Sequence, residues 1–458
     1  MPTNARPAAV TWSSRVSFLL AAVGAAVGLG NIWKFPYVTG VNGGGAFVIV
    51  YVGAAALVAI PILIAELAIG RRGRRSPPRA MSTVAVESQR SAHWGLVGGA
   101  GVLVGFLILT FYAVIAGWAM AYVWPTLTGT FTGTDATGSG EHFAALLASP
   151  WLLAFWSAAF LALNALITSR GLKAGIERAI NVLMPALFAA LLIVIGYAAI
   201  EGDFGAAVAF LFEPDFSKIT GPVVLAAIGQ AFFSIGVGMG IMMVYGSYLP
   251  KDISLARSAF LIAGADTLVA VLAGLAIFPL VFANGLDPGE GAGLIFVTLP
   301  IAFGNMPAGG LFGALFFVLL VVAAVTSSIA LIEAVLAWLA ERYGWSRGRA
   351  AWTVCAIAWV LSLATVFSFN LWADVRPLGA FERFSAMTAF DLIDYATSNV
   401  MMPLVAFLIA VFVGWFMRRA PACDELGLGE GFHFSAWRLV LLRWIAPAAI
   451  LGILLASL

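Results

Sequence analysis

Long apolar runs separated by short polar segments dominate this chain. A helix needs about 20 mostly apolar residues to cross the hydrocarbon core of a bilayer. A shorter apolar stretch near 291–304, which contains Pro300, is typical of a re-entrant helix. The longer runs predict eleven membrane-spanning helices, at residues 16–38, 43–70, 96–124, 151–168, 172–200, 221–248, 256–284, 309–340, 350–372, 387–417 and 436–458.

Two of these runs carry interruptions that lipid does not favour. "AVGLGNIWKFP" begins at Ala26 in the first run, and "SIGVGMGIMMVYG" begins at Ser234 in the sixth. Glycine weakens a helix by about 1 kcal/mol relative to alanine, and a packing face between helices is an alternative explanation for Gly24 and Gly28 alone. Lipid cannot satisfy the backbone groups that a helix break frees, so both breaks are predicted to line a polar site.

The two interruptions fall at corresponding places in two five-helix halves, at residues 16–200 and 221–417. Because an odd number of spans separates them, the second half enters the membrane from the opposite side. This arrangement predicts an inverted repeat with a binding site near the bilayer midplane. A segment at 1–15 precedes the repeat, and an eleventh helix at 436–458 follows it.

Composition and charge agree with a membrane protein. The chain is 62% hydrophobic and 10% charged, with a mean hydropathy of +1.01, whereas soluble domains carry about 25% charged residues. Lys and Arg concentrate in the loops on the N-terminal side, including "RRGRRSPPR" at 71–79. By the positive-inside rule the N-terminus is predicted to be cytoplasmic and the C-terminus outside. Two cysteines and three scattered histidines offer no metal cluster or catalytic constellation, so an enzyme is not expected.

Six sequence motifs resemble those of the neurotransmitter:sodium symporter family, in the family's order. They are "GAAVGLGNIWKFP", "NGGGAFVIVY", "FYAVIAGW", "GQAFFSIGVGMG", "VTSSIA" and "FDLID". Eleven spans and the GMG sequence resemble the bacterial amino-acid branch, which implies a location in a bacterial inner membrane. The resemblance implies an all-α integral membrane protein with the LeuT fold, a 5+5 inverted repeat plus an eleventh helix. It further implies sodium-coupled uptake of hydrophobic or aromatic L-amino acids by alternating access, with about two Na⁺ per substrate; a symporter of another small zwitterion or amine is the alternative.

The resemblance also implies two sodium sites. The first would use the substrate carboxylate with Ala26, Asn31, Ser234 and Asp266. The second would use the carbonyl oxygens and hydroxyls of Gly24, Val27, Ala323, Thr326 and Ser327. Oxygen ligands suit a hard cation, although hydroxyls bonded back to their own helix are the alternative for the Thr326–Ser328 run.

The implied substrate site has a polar end and an apolar end. Amides at a half-helix end and a tyrosine hydroxyl would bind the carboxylate, carbonyl groups would bind the ammonium, and apolar groups would surround the side chain. The residues assigned to these roles are Ala26, Leu29, Gly30, Ile108, Tyr112, Phe233, Ser234, Gly236, Met239, Ser327 and Leu331.

Gates on both sides of the site are implied as well. Lys34 would pair with Asp394 on the outer side, and Tyr112 with Phe233 would form a lid over the substrate. On the inner side Trp12 and the N-terminal segment would meet Tyr248 and Glu341, with Arg6 the nearest candidate for the family's latch arginine. Gly175 and Pro185 match a G-x9-P motif whose local unwinding would open a water path; a static proline kink is the alternative.

Two departures from the family pattern bear on ions. Asp266 replaces the usual asparagine, and Ala270 stands where chloride-dependent members have serine, while Tyr51 and Gln230 are kept. A carboxylate on the first sodium would supply the charge that chloride provides elsewhere, so no chloride is expected. Glu333 is predicted to be either a salt-bridged structural group or a proton-linked one. Beyond Na⁺, an amino-acid substrate and membrane lipid, no nucleic acid or obligate protein partner is expected.

Overall fold

The computed structural model describes residues 11–289, 293–418, 425 and 436–457. Throughout these ranges the regular structure is helical, with no strand. In chain order the helices are α1 (Arg15–Ala26), α2 (Gly30–Val41), α3 (Gly45–Gly73), α4 (Pro77–Glu87), α5 (Ala92–Leu127), α6 (Ala136–Leu147), α7 (Pro150–Ser169), α8 (Leu172–Glu201), α9 (Phe204–Phe212), α10 (Gly221–Ile235), α11 (Ile241–Ser247), α12 (Leu255–Ala283), α13 (Leu294–Asn305), α14 (Gly309–Tyr343), α15 (Arg347–Ser368), α16 (Ala389–Phe416) and α17 (Ala436–Ile445 with Ala446–Ser457).

Helices occupy every one of the eleven predicted spans. In the described part of the chain, eight helices are individually long and apolar enough to cross a membrane. The pair α1 and α2 adds a ninth, bent by 48° at the break, while α10 and α17 are shorter apolar helices. The chain is therefore a multi-pass membrane protein. The short helix α13 accounts for the predicted re-entrant stretch, of which residues 291 and 292 lie outside the described residues.

Glycines in left-handed backbone conformations produce the second break. Gly236, Gly238 and Gly240 have φ angles of +74°, +83° and +71°, a region that side chains with a Cβ rarely adopt. A Cβ at Gly238 would also lie 2.6 Å from the carbonyl oxygen of Met402. These constraints end α10 and separate it from α11, as the sequence predicts.

Three surface helices were not predicted. α4, α6 and α9 are too short or too polar to stand out as apolar runs. Asp135 begins α6 by accepting a hydrogen bond from the Gly138 amide at 2.9 Å, and Asp203 begins α9 in the same way from Ala206 at 3.0 Å. Such caps stabilise helices by about 1 kcal/mol each. The most enclosed helices are α14 and α5, which pack against the two broken spans.

Candidate functional site

One small cavity gathers the residues predicted to bind substrate. All eleven of them line it, together with Ala25, Gly28 and Ile241, which the sequence did not assign to the substrate site. The cavity volume is about 40 Å³. The broken helices and the buried helices α5 and α14 therefore meet at a single cavity.

The polar end of this cavity lies at the start of α2. The Leu29 amide donates to the Tyr112 hydroxyl at 3.2 Å, and the Gly28 amide donates to Asn31 Oδ1 at 3.0 Å. Amides at a helix N-terminus carry partial positive charge, which favours an anionic group. Ile108, Met239 and Leu331 line the same cavity and give it an apolar side.

Buried polar groups surround Asp266, where the first sodium site is predicted. Asn31 Nδ2 donates to Asp266 Oδ1 at 2.7 Å and to Ser234 Oγ at 2.9 Å. Ser234 Oγ and the Tyr51 hydroxyl donate to Asp266 Oδ2 at 2.8 and 3.1 Å. Asn31 and Asp266 are fully buried, and no Lys or Arg in the described residues pairs with this carboxylate. A buried carboxylate without a cation is costly, so these oxygen groups fit a bound cation. Ala26, the last residue of α1, lines the substrate cavity together with Ser234.

The residues predicted for the second sodium site also meet. The Ser327 hydroxyl reaches across from α14 to α1, where it donates to the carbonyl oxygens of Gly24 at 3.2 Å and Val27 at 3.1 Å. Thr326 Oγ1 bonds to the Ala323 carbonyl of its own helix at 3.0 Å. The Thr326 hydroxyl therefore bonds back to its own helix, the predicted alternative, whereas the Ser327 hydroxyl points at the break between α1 and α2. Oxygen atoms of Gly24, Val27 and Ser327 therefore meet at the break, and Thr326 lies beside Gly24, with its Cβ 3.3 Å from where a Cβ on Gly24 would stand. Oxygen groups of this kind fit a sodium ion.

The predicted outer pair of Lys34 and Asp394 is not formed. The Lys34 ammonium nitrogen lies 4.1 Å from the centre of the Phe233 ring, a cation–π contact. Asp394 instead accepts a hydrogen bond from Ser398 Oγ at 2.8 Å. Lys34 and Phe233 line an outer cavity of about 280 Å³, so the lysine faces an open vestibule in this conformation and forms no ion pair with Asp394.

The inner side is closed around Trp12. Its indole N–H donates to the Tyr245 carbonyl at 3.2 Å, and its backbone N–H donates to the Tyr248 carbonyl at 3.4 Å. Ser13, which the sequence did not single out, donates from its amide and hydroxyl to the two carboxylate oxygens of Glu177, at 2.8 and 2.5 Å. The structure thus brings Trp12 and Tyr248 together; Arg6 lies outside the described residues.

Glu341 does not contact the described part of the N-terminal segment, where it was predicted to lie. Its carboxylate accepts a hydrogen bond from the Ser76 amide at 2.9 Å. It also forms ion pairs with the guanidinium groups of Arg75 and Arg79, with an N–O distance of 3.3 Å in each. The reason is the length of α14, which continues to Tyr343 and carries Glu341 to the start of α4. In the described part of the chain, Glu341 therefore pairs with the arginine run at 71–79.

Glu333 is a salt-bridged group, one of its two predicted alternatives. Its side chain is fully buried and forms a bidentate ion pair with Arg347, in which Arg347 Nη1 lies 3.0 Å from Glu333 Oε1. The same carboxylate accepts a hydrogen bond from the Tyr248 hydroxyl at 2.7 Å. Another buried carboxylate, Glu66, accepts from the Gly238 amide at 2.7 Å and so holds the unwound segment of the sixth span. Both acids fix the geometry around α11.

Gly175 and Pro185 lie in α8, which is continuous in this conformation. A Cβ at Gly175 would lie 2.1 Å from the Ile167 carbonyl oxygen, so close packing against α7 requires glycine there. Met184, next to Pro185, is within 2.9 Å of where a Cβ on Gly24 would stand. α8 therefore packs directly behind the predicted second sodium site, and its unwinding stays a prediction.

We expect Arg347→Gln to destabilise the protein by about 3–5 kcal/mol, because it leaves the buried Glu333 carboxylate without its cation. Thermal unfolding in detergent would show this as a lower melting temperature. The double variant Glu333→Gln/Arg347→Gln should recover most of the loss, since no uncompensated charge remains. A double variant as unstable as the single one would contradict this account of the pair.

Comparisons with known proteins bear on this geometry. A family model described as the sodium:neurotransmitter symporter family matches residues 9–141 and 150–458. An uncharacterized sodium-dependent transporter of Bacillus subtilis (strain 168), YhdH, is 37% identical over 448 residues, which are 97% of each chain. A similarly described protein of Haemophilus influenzae is 34% identical over 456 residues, 98% of each chain. The crystal structure of MhsT in complex with L-phenylalanine matches with a TM-score of 0.88 and 41% identity, covering 98% of this chain and 100% of that one. The predicted LeuT fold is confirmed.

Proposed function

The chain belongs to the sodium:neurotransmitter symporter family, and we propose that this sodium-dependent transporter takes up hydrophobic or aromatic L-amino acids by alternating access, with two Na⁺ per substrate. It is a transporter and not an enzyme. In the proposed orientation, the N-terminus is cytoplasmic and the C-terminus outside, in a bacterial inner membrane.

The combination of a polar and an apolar end in one cavity carries the substrate proposal. The Leu29 amide and the Tyr112 hydroxyl stand where a carboxylate would be bound, and Met239 and Leu331 stand where a side chain would lie. Methionine is flexible, so Met239 can turn to admit side chains of different shape. MhsT, whose structure is similar, was crystallised with L-phenylalanine, which supports an aromatic substrate.

The buried charge of Asp266 supports sodium coupling at the first site, and the serine contact between α14 and α1 supports the second. Each Na⁺ gains about 2.3 kcal/mol from a potential of about 100 mV and about 1.4 kcal/mol from a tenfold gradient. Two ions thus supply roughly 7 kcal/mol, enough for about a 10⁵-fold substrate gradient. One ion would support only a few hundredfold.

We expect purified protein to bind labelled L-phenylalanine in Na⁺ buffer and not in an equimolar K⁺ buffer. Competition by each of the other amino acids would rank the substrates, with leucine, isoleucine, tryptophan and methionine strongest. Counterflow assays with unlabelled betaines and amines test the alternative, that the substrate is another small zwitterion or an amine. If no amino acid shows sodium-dependent binding, the proposed function is wrong.

Chloride is proposed to be dispensable. Asp266 places a negative charge at the predicted first sodium site, and Ala270 offers no hydroxyl to an anion. Uptake should stay at its full rate when gluconate replaces chloride at constant osmolarity and constant sodium. Loss of sodium-driven uptake in gluconate would contradict the proposal.

A further inference from the structure

A groove on the outside of the helix bundle combines two arginines with apolar and aromatic groups. It holds about 550 Å³ and lies between the end of α16, the start of α17 and the segment after α4. We call it the basic groove and define it by Arg90, Trp415, Phe416, Arg443, Ala448 and Leu451. None of these residues takes part in the substrate site or the gates.

The two arginines have no carboxylate partner in the described part of the chain. The Arg443 guanidinium lies 4.3 Å from the Trp415 ring centre, and its buried Nε has no hydrogen-bond partner. The Arg90 guanidinium lies 5.4 Å from the Phe416 ring centre, and its Nε makes only a long contact of 3.4 Å to a backbone carbonyl. Aromatic rings hold both cations in place while leaving their other N–H groups available to an anion.

The groove continues from these cations along apolar surface. Leu451 lies eight residues after Arg443 on α17, which corresponds to about 12 Å along a helix. Trp415 and Trp444 are 42% and 61% exposed beside it, and exposed tryptophan is typical of the membrane–water interface. The loops that border the arginine end are those predicted to be cytoplasmic.

We propose that the basic groove binds an anionic phospholipid of the cytoplasmic leaflet. The phosphate lies between Arg90 and Arg443, and an acyl chain follows the apolar surface past Ala448 to Leu451. Basic pockets between membrane helices on the cytoplasmic side bind anionic headgroups in this way. A second copy of the chain is disfavoured, because a two-fold contact through this face would bring the arginines of both copies together.

Native mass spectrometry tests the proposal on the full-length protein, purified in detergent with added phosphatidylglycerol or phosphatidylcholine. The wild type should retain phosphatidylglycerol in preference to phosphatidylcholine. Arg90→Gln and Arg443→Gln should each weaken retention about fivefold, the expected contribution of one basic residue at a membrane surface. The matched control is Arg349→Gln, since Arg349 also stacks on a tryptophan, at 4.7 Å from the Trp345 ring centre, but lies outside the groove.

A second variant keeps the test decisive if an arginine variant fails to fold. Ala448→Trp leaves both cations in place and fills the apolar part of the groove, so it should weaken phosphatidylglycerol retention as well. The proposal is overturned if the wild type retains both lipids equally. It is likewise overturned if Arg349→Gln weakens phosphatidylglycerol retention as much as the groove variants do. It is also overturned if inorganic phosphate competes as well as the lipid does, or if light scattering shows a dimer that Ala448→Trp dissociates.

Discussion

Gly28→Ala should reduce sodium-dependent substrate binding about 10- to 100-fold while leaving the protein folded. A Cβ at Gly28 would lie 2.4 Å from Ser327 Oγ and 2.9 Å from the Tyr112 hydroxyl. Real Cβ contacts are not that short, so both hydroxyls must move. Overpacking of this kind costs about 1–3 kcal/mol, and each 1.4 kcal/mol is tenfold in binding.

The effect of Gly28→Ala should be specific because the two displaced hydroxyls serve different proposed sites. Ser327 bridges the carbonyls of Gly24 and Val27, and Tyr112 accepts from the Leu29 amide. Scintillation proximity with labelled phenylalanine, titrated with Na⁺, measures both losses. Gly264→Ala is the matched control, since no heavy atom lies within 4 Å of a Cβ there, and it should bind like the wild type. Wild-type binding by Gly28→Ala would contradict the positions proposed for both sites.

Asp266→Ala should raise the Na⁺ concentration needed for half-maximal substrate binding by about 100-fold or more. The variant removes the buried charge proposed to hold the first ion, and with it the carboxylate that accepts hydrogen bonds from Asn31, Ser234 and Tyr51. Each buried polar group left unsatisfied costs about 1–3 kcal/mol. Sodium titration of phenylalanine binding measures the shift, and thermal unfolding measures the accompanying loss of stability.

Two further variants separate charge from shape at this position. Asp266→Asn keeps an oxygen ligand and the size of the side chain, so it should shift the sodium requirement less than Asp266→Ala does and destabilise the fold less. Asp374→Ala removes an exposed carboxylate in the loop after α15 and should leave the sodium titration unchanged. An Asp266→Ala protein with the wild-type sodium titration would exclude this carboxylate as an ion ligand.

The spans and the helix breaks were predictable from the sequence because membrane thickness and glycine conformation act locally. A run of about 20 apolar residues has one stable arrangement in lipid, and Gly236, Gly238 and Gly240 encode a left-handed backbone directly. The substrate-cavity residues followed from motifs, and the cavity contains all of them.

Side-chain partners at the two ends of the molecule were not predictable in the same way. Glu341 pairs with Arg75 and Arg79 because α14 runs far enough to reach α4, a length that its apolar run does not specify. Lys34 rests on Phe233 instead of Asp394 because that contact depends on which conformation the vestibule adopts. Long-range pairs of this kind need the assembled bundle.

The bonds from Ser13 to Glu177 have a kinetic consequence. They tie the segment before α1 to Glu177, the sixth residue of α8, through two hydrogen bonds that end on one carboxylate. If that segment leaves α8 when the inner side opens, both bonds must break together. Bonds to a charged group are worth about 1.5–3 kcal/mol each, so at least about 3 kcal/mol would enter the barrier, which slows a step roughly a hundredfold. A single carboxylate near the start of α8 would then slow the turnover rate.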